Sequence, residues 1–71
     1  MERILNAEEI GRRLRELRGF DRTLAEASAG SGVSVQQICQ YENGQRIPSA
    51  EVVAKLAGYY GVTVDYIFFG P

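Results

Sequence analysis

The chain has 71 residues, 45% of them hydrophobic and 24% charged, with a net charge of −1, one Cys and no His. That length gives one small globular domain, too small to enclose a large substrate cavity. The missing His removes the commonest general base and metal ligand, the lone Cys excludes an internal disulfide and a multi-Cys zinc site, and no apolar run approaches the roughly 20 residues of a membrane span.

The apolar spacing is helical throughout. Asn6 with Glu9 three residues on reads as a capping box. Ile10, Leu14 and Leu17 then share one helix face, in a first helix from about Ala7 to Arg18 that stops at Gly19. Thr23 with Glu26 opens a second helix from Leu24 to about Ala29, broken by Gly30-Ser31-Gly32. Ser34 with Gln37 opens a third, from Val35 to about Glu42, stopped by Asn43-Gly44. Ser49 caps a fourth, with Val53, Leu56, Ala57 and Tyr60 on its inner face and Gly61 at its end. Thr63 caps a short fifth, where Val62 can staple against Ile67. There is no strand pattern and no repeat, so the fold class is all-α.

The charge is unevenly placed. Arg3, Arg12, Arg13, Arg15, Arg18 and Arg22 are six of the eight basic residues and fall in the first 22 positions; Arg46 and Lys55 complete the set. A solvated basic helix explains this as well as an anionic partner does. Met1-Glu2-Arg3 is followed by only two apolar residues, which is no signal-peptide pattern. With one thiol, a reducing, cytoplasmic setting is expected.

The stretch from Thr23 to Glu42 carries the functional information. Two short helices meet at a tight turn in which Gly32 suits a positive φ. Val33, Ile38 and Tyr41 are placed to tie the turn and its second helix to the core. This is the spacing of a helix-turn-helix. If Ile38 and Tyr41 face inward, then Val35, Gln36, Cys39 and Gln40 face out, and Gln36 and Gln40 share one face. Gln can bond adenine N6 and N7 together, and a short apolar side chain can meet a thymine methyl. Two exposed glutamines are also what any solvated helix face shows.

Here the chain resembles the Cro/phage-repressor type of helix-turn-helix, the xenobiotic-response-element group. The resemblance is carried by the run Ile10 to Arg18, by Gly32-Val33-Ser34, Ile38 and Tyr41-Glu42-Asn43-Gly44, and then by Arg46-Ile47-Pro48-Ser49, Leu56-Ala57 and Tyr60 to Asp65. It spans about residues 8 to 70. It implies a compact five-helix, lambda-repressor-like DNA-binding fold, with residues 1–71 as one domain, the motif at about 23–42 and the third helix as the recognition helix. It implies base contacts from Ser34, Val35, Gln36 and Gln40. Asn43 and Arg46 match positions that touch the DNA backbone. Thr23 starts a helix whose N–H groups can face phosphate, and Arg22 joins it by position and charge. It also implies an ion pair between Arg18 and Glu42.

Three departures stand out. Leu24 occupies a place where the family often has a phosphate-binding Gln. Ala27 and Ser31 stand where larger apolar residues usually pack. The net acidity predicts modest non-specific affinity. Ile67, Phe68 and Phe69 form an apolar cluster at the C-terminal end that reads as a dimer interface. The resulting expectation is a sequence-specific transcriptional regulator, a repressor, binding a two-fold double-stranded operator as a homodimer without cofactor or metal. The alternative is a helix-turn-helix used for contact with a protein partner, such as an antitoxin half, or the N-terminal DNA-binding fragment of a longer regulator. No nucleophile–base pair or Gly-Lys-Ser/Thr phosphate loop supports an enzyme.

Overall fold

A computed structural model describes residues 4–71. Arg3, counted among the N-terminal basic residues, lies outside them. Five helices follow in order: α1 (Ala7–Arg18), α2 (Leu24–Ser31), α3 (Val35–Glu42), α4 (Ala50–Tyr60) and α5 (Val64–Phe69). Among the described residues there is no strand, and no helix is long and apolar enough to cross a membrane. The architecture is all-α. α1 packs on α3 and α5, α2 on α3 and α4, and α4 on α5.

Local chemistry sets the helix starts. The side chains of Asn6, Thr23, Ser34, Ser49 and Thr63 each accept a hydrogen bond from the backbone N–H three residues on. Such a cap contributes about 1 kcal/mol. The boxes at Thr23–Glu26 and Ser34–Gln37 are reciprocal. The one expected at Asn6–Glu9 is not, because Glu9 turns along the helix to pair with Arg13 at 3.2 Å.

α2 also corrects its expected end. It runs two residues beyond Ala29, through Gly30 to Ser31. The Tyr59 ring of α4 lies directly against Gly30, where a Cβ would strike its edge. That contact keeps the segment helical despite glycine's poor propensity. The turn then forms at Gly32, whose left-handed φ of 80° lets its N–H reach Ser28 O at 2.9 Å. Ser31 Oγ accepts from the Val33 N–H at 3.2 Å, so the small polar residue supports the turn instead of filling the core.

The core is built from Ile10, Leu14, Ala27, Val33, Ile38, Tyr41, Val53, Leu56, Ala57 and Ile67. α1 and α3 approach closely because Gly11 carries no side chain: a Cβ there would sit 2.8 Å from Glu42 O. Ile67, expected at a dimer surface, is 0% exposed and belongs to this core. As the inward residue of a six-residue helix, it is sealed between α5 and its neighbours. Phe68 and Phe69 are half-buried.

Candidate nucleic-acid interface

The orientation of α3 is fixed from inside. Ile38 and Tyr41 are anchored in the core, which turns the opposite face outward. At its C-terminal end Glu42 is only 7% exposed. Arg18 meets it side-on, Nε to Oε2 and Nη2 to Oε1, both at 2.8 Å. The same guanidinium donates from Nη1 to Arg22 O at 3.0 Å. One arginine thus joins α3 to the loop that enters α2. The hydrogen bond to Glu42 holds the Arg18 guanidinium above its already high ordinary pKa, against an opposing effect of burial.

The outward row is partly as expected. Ser34, Val35 and Gln36 are exposed, with Val35 at 42%. Gln40 and Cys39 are half-buried. Cys39 Sγ lies 3.4 Å from Asn43 Nδ2. Gln37 is committed to the Ser34 cap. Ser34 Oγ serves as that cap and also donates to Gln37 Oε1 at 3.1 Å, while the residue itself stays exposed.

The residues expected at phosphates differ more. Arg46 is exposed. Thr23 is exposed, with its Oγ1 accepting from the Glu26 N–H at 3.0 Å. Asn43 is exposed, but its Oδ1 already accepts from Arg15 Nη2 at 3.0 Å. Arg22 is half-buried, with its guanidinium carbon 5.3 Å from the Tyr59 ring centre and 5.5 Å from that of Tyr60. It therefore helps hold α4 against the α2 entrance. Leu24 packs against the core.

Two arginines had roles that sequence reasoning did not assign. Arg13 is buried and donates to Ile67 O at 3.1 Å and Phe68 O at 3.2 Å, capping α5 from α1. Its place between Ile10 and Leu17 on the apolar stripe of α1 is the signal that could have found it. Arg15 donates from Nη2 to Glu42 O at 3.1 Å as well as to Asn43, capping α3. Much of the basic N-terminal half is thus committed within the molecule.

A helix-turn-helix family, HTH_3, matches residues 12–67. The chain belongs to that family. It is accordingly a DNA-binding regulator by class. Among solved structures, the chain is similar to the restriction-modification controller protein C.AhdI from Aeromonas hydrophila, with a TM-score of 0.79 and 28% identity over 87% of this chain and 96% of that one. It is similar to the clp gene regulator ClgR from C. glutamicum, with a TM-score of 0.75 and 30% identity over 93% and 86%. The BldD DNA-binding domain of S. venezulae aligns with a TM-score of 0.74 and 27% identity over 89% and 96%. No protein of curated function matches the sequence significantly.

Proposed function

We propose that this protein binds a two-fold operator as a homodimer and represses transcription by occupying a promoter. The observation that carries the reading is the exposed row Ser34, Val35 and Gln36 on a helix whose roll is fixed by Ile38, Tyr41 and the Arg18–Glu42 pair. α3 enters the major groove, which is about 12 Å wide. Gln36 bonds an adenine edge, with Gln40 one turn on, and Val35 meets a thymine methyl. Thr23, Asn43, Arg46 and Arg22 border the phosphate strands. The helix starts at Thr23 and Ser34 add their N–H groups. On this reading the protein works in the cytoplasm beside its DNA and is not an enzyme.

Phe68 and Phe69 support the pairing. With Ile4, Pro71 and the charged Glu9, Arg13 and Asp65 they border an open groove of about 420 Å³ beside α1 and α5. Ile4 is 84% exposed. Two subunits joined there read half-sites about 34 Å apart. If each neutralises four phosphates, log K falls against log salt with a slope of about −7.

Selection from a pool of random duplexes, with sedimentation of the free protein, tests this. Recovery of a two-fold sequence bound by a dimer is expected. Failure to enrich any sequence at low salt overturns it.

The second reading, a helix-turn-helix for protein contact, is favoured by Leu24, which is packed inward where a phosphate-binding amide would help. Co-purification with a neighbouring gene product, with no duplex retained, is its signature.

A further inference from the structure

Phe20 is the most exposed large apolar residue described, at 110%. It lies between α1 and α2 and helps line a mostly apolar groove of about 310 Å³ with Arg15, Glu16 and Gly19. The Arg15 side chain runs from that groove to the end of α3, where Nη2 is held by Glu42 O and Asn43 Oδ1. Its Nε and Nη1 have no acceptor among the described residues. No carboxylate among them pairs with it, although Glu16 lines the same groove.

An arginine with free donors and the Asn43 amide thus adjoin the C-terminal end of the recognition helix, and an exposed aromatic ring borders the same arginine. α3 has eight residues. On the operator reading Asn43 and Arg46, at and just beyond its C-terminal end, border the phosphate strand, so that end lies against the backbone. What lies there alternates anionic phosphate with the apolar faces of deoxyribose.

We infer that Arg15 and Phe20 form a clamp on one sugar–phosphate unit of the bound strand, Arg15 taking the phosphate oxygens and Phe20 covering the adjacent deoxyribose. The inference rests on the operator reading and adds a backbone contact outside the residues assigned above. Arg15 keeps its bond to Asn43 while its free N–H groups face the phosphate. A guanidinium already held by α3 loses little freedom on binding. The clamp reads no bases.

The test measures anisotropy of a labelled duplex recovered from the random pool, and of a scrambled duplex, from 50 to 300 mM salt. Phe20→Ser should weaken both by about tenfold with the salt slope and base preference unchanged, since an apolar contact releases no counterions. Arg15→Gln should reduce the magnitude of the slope by about 0.9 per subunit with preference unchanged. Circular dichroism confirms that both variants are folded. A merely structural role for Arg15 would leave the slope as it is. If the wild type binds but Phe20→Ser binds both duplexes as tightly, or Arg15→Gln keeps the full slope, the clamp is wrong and the operator reading stands. If Phe20→Ser alters base preference, the ring lies among bases and the clamp is wrong. If the wild type binds neither duplex, the operator reading falls and takes the clamp with it.

Discussion

Arg18 and Glu42 stand 24 residues apart in the chain and meet through two parallel contacts of 2.8 Å at the C-terminal end of α3. Glu42 is almost sealed from water, so loss of Arg18 would leave a buried carboxylate without its ion-pair partner. Removing one member of such a pair is far more damaging than removing both. Arg18→Gln should therefore lower stability by about 3 kcal/mol, read by urea unfolding, while Arg18→Gln with Glu42→Gln recovers much of the loss.

Tyr60 shows the opposite situation. Its hydroxyl is buried without a hydrogen-bond partner. Burial first, and the nearby Glu42 charge second, push its pKa above the ordinary tyrosine value. A raised folded-state pKa gives stability that is whole below the unfolded value of about 10 and is lost as pH climbs through the folded value. Tyr60→Phe should be neutral or up to about 1 kcal/mol more stable at pH 8. Urea unfolding from pH 8 to 11 should show a shallower alkaline loss in the variant.

Two helical glycines should respond in opposite directions to the same substitution. Gly11→Ala drives a methyl into the α3 backbone at Tyr41 O and Glu42 O, which cannot swing aside as a side chain would. It should destabilise by about 2 kcal/mol or more. Gly58 has open space where its Cβ would lie. Gly58→Ala should stabilise by about 0.5–1 kcal/mol. Paired thermal melts decide both.

The helix starts and the inward face of α3 were legible in the sequence because they depend on neighbours three or four residues away. Thr23–Glu26, Ser34–Gln37, Ile38 and Tyr41 needed only local rules. Arg18–Glu42 came from the resemblance, since nothing local joins α1 to α3. What could not be read depends on contacts distant in sequence. Gly30 remains helical because Tyr59 lies against it. Arg22, half-buried, lays its guanidinium over two tyrosines. Glu9 had two possible partners, and the i+4 arginine prevailed over the cap. Ile67 was grouped with Phe68 and Phe69 in the expected interface because a short apolar end does not show which of its residues turns inward.

At the proposed interface, Gln36 and Arg46 should separate base reading from anchoring. Gln36→Ala should cost about 1–3 kcal/mol at one base position and relax preference there. Arg46→Ala should weaken every duplex alike and flatten the salt slope. Repeating the random selection with each variant checks this; an unaltered consensus from Gln36→Ala would contradict its role.

Arg13 has a consequence for operator geometry. α1 is a 12-residue rod, about 18 Å long. Arg13 bolts it to the last turn of α5, and Arg18, a turn and a half further along, bolts it to α3. In a dimer built on the α5 end, the two reading heads would then sit on a ruler without a hinge. Inserting a single base pair between the half-sites should be met by loss of binding rather than by adjustment.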